Sequence, residues 1–428
     1  MAASGSVAPG PAIVAGHGAA PAIVARAPRA HVAVLFDPAV EPLLAELPLA
    51  RSGGRLALRP VERPPTLGDV RETGAWLGAR PFRALLAIGG GRVLDLAKLA
   101  LTAGRSDASV AHLGGLVRRA GWAPLPAAID ASVPLLAIPT TVGTGAEASA
   151  VAVVTDEDGQ RALVSSPRLR AECAALDPIA TAGLPAALVR EGALEALLRV
   201  AVPELATPSA LRMAGAEAQT LTRQLADALD ECARCDAPGD DLRLYVAQLS
   251  SATHRGWALS GRSPHPSPLW FVATELSAVL GISKVAANAA LLPPWLARVV
   301  RRGGRWGEPC RLVALWRSIT GRPPAGDVEA EARRLLKRWR VAPPAIFSPG
   351  APEATARRAV RRWGGRLPML SGFGVDDLRE LVEDALAHAG GTVPGGSGGG
   401  GSACGSSPVE TCSRSASRVA SPGCASSC

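Results

Sequence analysis

The chain has 428 residues, 48% of them apolar, and a formal net charge of +9. The length allows two domains with ample buried core, and Pro, Gly or Arg interrupts every apolar run before the ~18–20 residues of a membrane span. The charge does not by itself indicate a nucleic-acid partner, because only Lys98, Lys284 and Lys337 are lysines and nearly every other cation is arginine.

In chain order, residues 1–30 are rich in Ala, Gly and Pro and read as an N-terminal arm, frayed or folded into an edge hairpin. His31 to Phe36 is a short apolar strand, ended by Asp37 and Pro38. An acidic residue at the tip of an early strand either accepts hydrogen bonds from an adenosine ribose or caps a turn. Residues 39–50 have helical spacing, Arg55 to Arg59 form a second strand, and Thr66 N-caps a helix that runs to Leu77. Next comes LLAIGGGRVLDLAKL, Leu85 to Leu99, in which apolar residues run into Gly89, Gly90 and Gly91 and an amphipathic helix follows. A strand, a glycine turn and a helix offer unpaired N–H groups and a helix dipole to a phosphate; the same order also serves tight packing alone.

A further strand, Pro134 to Ile138, enters the polar loop PTTVGTGAEAS, Pro139 to Ser149. Thr140, Thr141 and Thr144 supply hydroxyls there, while Gly143 and Gly145 allow close approach, so two such loops on one sheet form a diphosphate cradle. Val151 to Val154 and Ala162 to Ser165 flank a turn at Asp156 to Gly159 and read as a hairpin. From Pro185 the apolar spacing is helical almost throughout, and from Gly390 the composition collapses to Gly, Ser and Ala, with four of the eight cysteines. That tail, residues 390–428, reads as disordered. Cys232 and Cys235 have C-x-x-C spacing without a second pair, which argues against a zinc site. The expected layout is residues 31–182 as an α/β domain and 183–389 as a helical one. No signal-peptide pattern opens the chain, so a soluble cytoplasmic protein is expected.

These residues resemble the iron-containing (group III) alcohol dehydrogenases over roughly residues 10–388. Gly89-Gly90-Gly91 with Asp95 and Lys98 is similar to the family's glycine signature, Pro139 through Glu147 to its PTT-x-GTG-x-E loop, and Ala287 to Pro293 to its ANAxLLP stretch. The resemblance implies an α/β N-terminal dinucleotide-binding domain plus an all-α C-terminal domain, the dehydroquinate synthase-like fold. It implies an NAD(P)-linked oxidoreductase with NAD preferred to NADP. Gly89, Gly90, Gly91, Asp95, Lys98, Thr140, Thr141, Thr144 and Asp37 would hold the cofactor. Two departures stand in this half: Arg92 replaces the serine that usually follows the glycines, and Pro64 replaces an Asn.

The larger departure is at the metal. The family holds Fe²⁺ or Zn²⁺ with one Asp and three His, but the matching positions here carry Glu195, Arg199, Trp270 and Lys284, with Thr274 where a nearby catalytic His would stand. Arg and Lys are cationic at neutral pH and do not ligate divalent ions, so the metal is expected to be absent, although His254 and His265 lie in an apparent insertion nearby. Lys284 and Arg199 then supply positive charge in the metal's place, balanced by Glu195; equally, Glu195 and Arg199 at i, i+4 make an ordinary helix ion pair plugging a disused pocket. The corresponding functions are an alcohol–carbonyl oxidoreductase and a non-catalytic dinucleotide- or partner-binding relative. Divergent members also occur in natural-product pathways, including daptide-type peptide biosynthesis. Small-molecule or peptide alcohols and carbonyls are the expected substrates, a homodimer is compatible, and neither nucleic acid nor membrane is expected.

Overall fold

The computed structural model describes residues 10–27, 31–49, 56–126, 133–207, 209, 211–262, 268–341, 343 and 348–387. The tail from Gly390 and His265 lie outside the described residues.

The first half alternates strands and helices: β1 (Ala12–Ala15), α1 (Ala19–Arg26), β2 (Val32–Phe36), α2 (Glu41–Glu46), β3 (Leu56–Pro60), α3 (Leu67–Gly78), β4 (Ala84–Gly89), α4 (Gly91–Leu101) and α5 (Asp107–Arg119). After them come β5 (Trp122–Pro124), β6 (Leu135–Pro139), β7 (Val151–Thr155), β8 (Arg161–Ser165) and β9 (Cys173–Leu176). Six strands form one parallel sheet in the order β1-β9-β6-β4-β2-β3. Both faces are covered. Ala33, Leu35, Leu85, Ala87 and Ala137 enter one apolar cluster, and their alternating neighbours Val32, Val34, Phe36, Leu86 and Ile138 enter the other. This double burial explains why these strands read as continuous apolar runs rather than as alternating ones.

Within the segment expected to be an arm, residues 10–27 fold as a strand and a helix. β1 is an edge strand paired in parallel with β9, and Ala20 N–H donates to the Asp177 carboxylate at 2.9 Å, tying α1 to the turn after β9. A parallel partner more than 150 residues away leaves no local mark, unlike the hairpin expected from composition. The β7–β8 hairpin forms as expected and joins β5 in a separate three-stranded sheet.

The second half is helical: α6 (Ala186–Ala206), α7 (Arg212–Arg234), α8 (Asp240–Ala252), α9 (Pro268–Leu280), α10 (Lys284–Arg302), α11 (Pro309–Thr320), α12 (Val328–Arg338), α13 (Ala351–Trp363) and α14 (Val375–Ala387). No helix among the described residues is long and apolar enough to cross a membrane.

Two contacts set the halves against each other. At one, the loop after β6 lies on α6 where glycine meets glycine: a Cβ on Gly143 would collide with Gly192, and one on Gly192 would stand 2.5 Å from the Val142 carbonyl oxygen. At the other, Arg362 of α13 donates to the carbonyl of Arg161 at 2.7 Å, and Gly121 N–H donates to the carbonyl of Arg362 at 2.8 Å. Buried Glu275 of α9 receives Trp363 Nε1 at 2.8 Å and Arg358 Nε at 3.0 Å, fixing α13 for that contact.

Candidate active site

The chain passes from β2 outward to β3, then returns to place β4 on the other side of β2. Between β2 and β4 the winding therefore reverses, and the crevice beyond the strand C-termini is the ligand position of such sheets. Asp37 stands at the end of β2, and Gly89, Gly90 and Gly91 at the end of β4. α4 begins on Gly90 with no side-chain cap, so its first N–H groups face the crevice as a helix-dipole terminus. Gly90 lies against the threonine loop: a Cβ there would sit 3.0 Å from Thr141 Oγ1. Thr140 N–H donates to the Gly89 carbonyl at 3.1 Å, which joins the two loops. The arrangement presents backbone donors and threonine hydroxyls together, the chemistry a diphosphate requires.

Asp37 accepts from Ala39 N–H at 3.1 Å and so caps the turn that follows it. It also takes Arg92 Nη2 at 2.6 Å, while Arg92 Nη1 donates to the Glu62 carbonyl at 2.9 Å. Asp95 and Lys98 lie deeper. Lys98 Nζ donates to Ser149 Oγ at 3.0 Å and the Val151 carbonyl at 2.9 Å, and Asp95 receives Val153 N–H at 3.0 Å. Burial pushes Asp95 up to about 6, opposed by Lys98, and pushes Lys98 down to about 8, opposed by Asp95 and Glu147. Both residues tie α4 to the backbone leading into β7.

Across the crevice, the Gly143–Gly192 contact brings α6 within reach of the loop. Arg199 Nη2 donates to the Gly143 carbonyl at 2.8 Å and Nη1 to Thr253 Oγ1 at 2.9 Å; its ion pair with Glu195 is longer, 3.6 Å. His254 Nε2 lies 3.1 Å from the Thr144 carbonyl oxygen, and a Cβ on Gly145 would strike the same ring. Burial, with Arg199 nearby, holds His254 well below the usual histidine range, so its neutral ring donates to Thr144. Gly143 and Gly145 have φ of 99° and 58°, which glycine alone adopts without strain.

Lys284 opens α10, with Ser283 as N-cap accepting from Ala286 N–H at 3.0 Å. Its Nζ lies 3.7 Å from the centroid of the Trp270 ring. Burial lowers its pKa to about 8; Glu195 pulls the other way, and Arg199 and Arg161 add to the lowering. Burial raises the carboxyl of Glu191, one turn before Glu195, with repulsion from Glu195 contributing. Thr274 turns its hydroxyl back onto the carbonyl of Trp270 at 3.0 Å.

The structure thus brings Glu195, Arg199, Trp270 and Lys284 to the helical side of the crevice, opposite the two glycine loops. As a donor set they do not suit a divalent metal: Lys⁺, Arg⁺ and the indole N–H are donors only, and the carboxylate of Glu195 already faces Arg199. Among the described residues, no three His, Cys, Asp or Glu side chains converge where they could hold one. What remains is Lys284, a cation of depressed pKa on the Trp270 ring and within the field of Arg199 and Glu195, a group chemically suited to proton transfer. Sequence reasoning named Trp270 and His254 but assigned neither its partner. It missed Gly192, whose signal, a glycine in the interior of a helix, marks a close approach.

The fold and its loops define a doubly wound α/β domain joined to a helical domain. Residues 10–178 match the family model described as iron-containing alcohol dehydrogenase. It is 33% identical over 218 residues to phosphonoacetaldehyde reductase of Streptomyces viridochromogenes, a match covering 48% of this chain and 53% of the relative. The matched region is thus about half the length of that relative. Two solved structures share the fold. An iron-containing alcohol dehydrogenase from Thermococcus thioreducens has a TM-score of 0.74 at 18% identity, covering 89% of this chain and 99% of that one. The NADH-dependent butanol dehydrogenase A of Thermotoga maritima has a TM-score of 0.72 at 20% identity, covering 88% and 96%.

Proposed function

We propose that this chain is a nicotinamide-dinucleotide-linked oxidoreductase that interconverts an alcohol and a carbonyl without a catalytic metal. The observation carrying this reading is Lys284, a half-buried ammonium stacked on Trp270 and lowered to about 8 by burial. The family match over residues 10–178 and the reductase named among its relatives support the reaction type.

When bound, the dinucleotide supplies or accepts the hydride. Gly89, Gly90 and Gly91 with the α4 terminus hold its diphosphate, joined by the hydroxyls of Thr140, Thr141 and Thr144. Asp37 lies at the ribose. Asp95 and Lys98 act as positioning residues that keep α4 against the threonine loop. Lys284 Nζ donates a hydrogen bond to the substrate oxygen. In reduction the ammonium passes its proton to that oxygen as negative charge develops; in oxidation the neutral amine takes the hydroxyl proton. Arg199, oriented by Gly143 and Thr253, adds positive field, and Glu195 balances it. A small alcohol or aldehyde, or an alcohol at a peptide terminus, is the proposed substrate.

The test is NAD(P)H turnover on an aldehyde panel by chelator-treated protein of measured metal content. Wild-type protein should stay active with iron and zinc at background. Lys284→Ala should lose at least about a hundredfold in kcat, within the range of general acid–base catalysis, and Glu195→Ala less. Inactivation by chelation, or unchanged rates in both variants, refutes it.

A second reading rests on the same side chains. Both terminal nitrogens of Arg199 are engaged within the chain and Lys284 is stacked on Trp270, so these residues also describe a filled pocket in a dinucleotide-binding, non-catalytic relative. Tight dinucleotide binding with no turnover on the aldehyde panel selects that reading.

A further inference from the structure

Arg92 stands where the winding of the sheet reverses, between the carboxylate of Asp37 and the carbonyl of Glu62. A lone carboxylate at the end of β2 accepts the ribose hydroxyls of a dinucleotide and repels a phosphate esterified there, whereas a nearby arginine accommodates that phosphate. Asp37 is not alone. The 2.6 Å contact with Arg92 Nη2 neutralises it, and the guanidinium has donors beyond the two that Asp37 and Glu62 engage. Arg92 is only partly covered, with 35% of its side chain exposed, so those donors are accessible to a ligand in the crevice.

A second observation extends the site. The Glu62 backbone that receives Arg92 also borders an open recess of about 280 Å³, lined by Arg59, Glu62, Arg63, Asp69, Thr73 and Leu96. Thr73 Oγ1 is fully buried at its edge and has no hydrogen-bond partner among the described residues. Arg59 and Arg63 are paired with Glu72 and Asp69 at 3.2 and 3.1 Å, and Glu62 adds an exposed carboxylate to the lining. A phosphate beside Arg92 meets the guanidinium donors that Asp37 and Glu62 leave over, and the Asp37 carboxylate there is already paired.

We propose that Arg92 is a specificity-determining residue that opens the ribose subsite to the 2′-phosphate of NADP(H), so that the chain binds both dinucleotides with comparable affinity. The inference rests on the dinucleotide site proposed above and alters the preference for NAD that Asp37 alone implies.

Dissociation constants of NAD⁺ and NADP⁺, measured by calorimetry on the full chain, test it without recourse to turnover. In wild-type protein the two should lie within about tenfold of each other. Arg92→Ser should weaken NADP⁺ at least tenfold and leave NAD⁺ within threefold. Adding Asp37→Asn to Arg92→Ser should recover part of the loss, because the unpaired carboxylate is then removed. A wild-type preference for NAD⁺ above a hundredfold overturns the proposal, as does an Arg92→Ser variant in which both affinities fall equally or neither moves. Absence of binding by either dinucleotide to folded wild-type protein instead refutes the site itself.

Discussion

At the scale of single residues, the three lysines illustrate how context changes one side chain. Lys337 lies in the last turn of α12, the usual place for a cation beside a helix C-terminus. Lys98 is buried and Lys284 half-buried, and each is lowered to about 8. For Lys98 three acceptors receive the ammonium, so the charge is structural. Lys284 has an aromatic face instead, with Glu195, Arg199 and Arg161 as the charges that set its affinity for a proton. The consequence is a pH dependence of fixed sign. In the reaction proposed above, reduction would require the ammonium, so kcat/KM should be level below about pH 8 and fall toward tenfold per unit above it; oxidation would require the amine and should rise toward the same point. Steady-state profiles of the wild type and Lys284→Ala check this, since the variant should lose the limb near 8. A profile unchanged in the variant would assign the titration to another group.

At the scale of elements, the decisive contact is the crossing of the loop after β6 over α6. Gly192 offers no side chain, so the Val142 and Gly143 backbone lies directly on the helix, and Arg199, two turns further, reaches the Gly143 carbonyl. Gly192→Ala would force the loop away, because backbone rather than a flexible side chain stands in the way. The expected cost is about 1–3 kcal/mol, the usual penalty of overpacking, together with weakened dinucleotide binding. Urea unfolding and calorimetry measure the two effects. A variant of wild-type stability and affinity would show that the loop is not held by this contact.

At the scale of the molecule, the helical half is joined to the small sheet through a buried charge. Glu275 is 2% exposed and receives Trp363 and Arg358, while Arg362 reaches past it to the carbonyls of Arg161 and Ala120. A Cβ on Gly121 would strike the Trp363 ring, so the sheet sits flat against α13. Removing one partner of such a buried pair leaves the other cations uncompensated, so Glu275→Ala should cost about 3–5 kcal/mol. Glu275→Gln, which keeps the acceptor for Trp363, should cost less. Thermal unfolding of both variants is the check, and equal midpoints would place the stabilisation in the charge alone rather than in the acceptor and packing that Gln retains.

The sequence by itself determined the two glycine loops, the strands that carry them and the change to helices after Pro185. These are local: a positive φ requires glycine, a strand buried on both faces is continuously apolar, and helical spacing recurs every few residues. By resemblance it also put Glu195, Arg199, Trp270 and Lys284 at the positions where the family holds its metal, and residue identity alone excludes three of them as ligands. Only the tertiary structure decided that β1 completes the sheet, that short β5 and β9 and the helix α5 exist, and that Arg92 neutralises Asp37. It also paired Lys284 with Trp270, and Arg199 with the Gly143 carbonyl rather than chiefly with Glu195. Apart from α5, these join residues that are not neighbours in the chain, and such pairings depend on how two faces meet in space, which neither composition nor periodicity encodes.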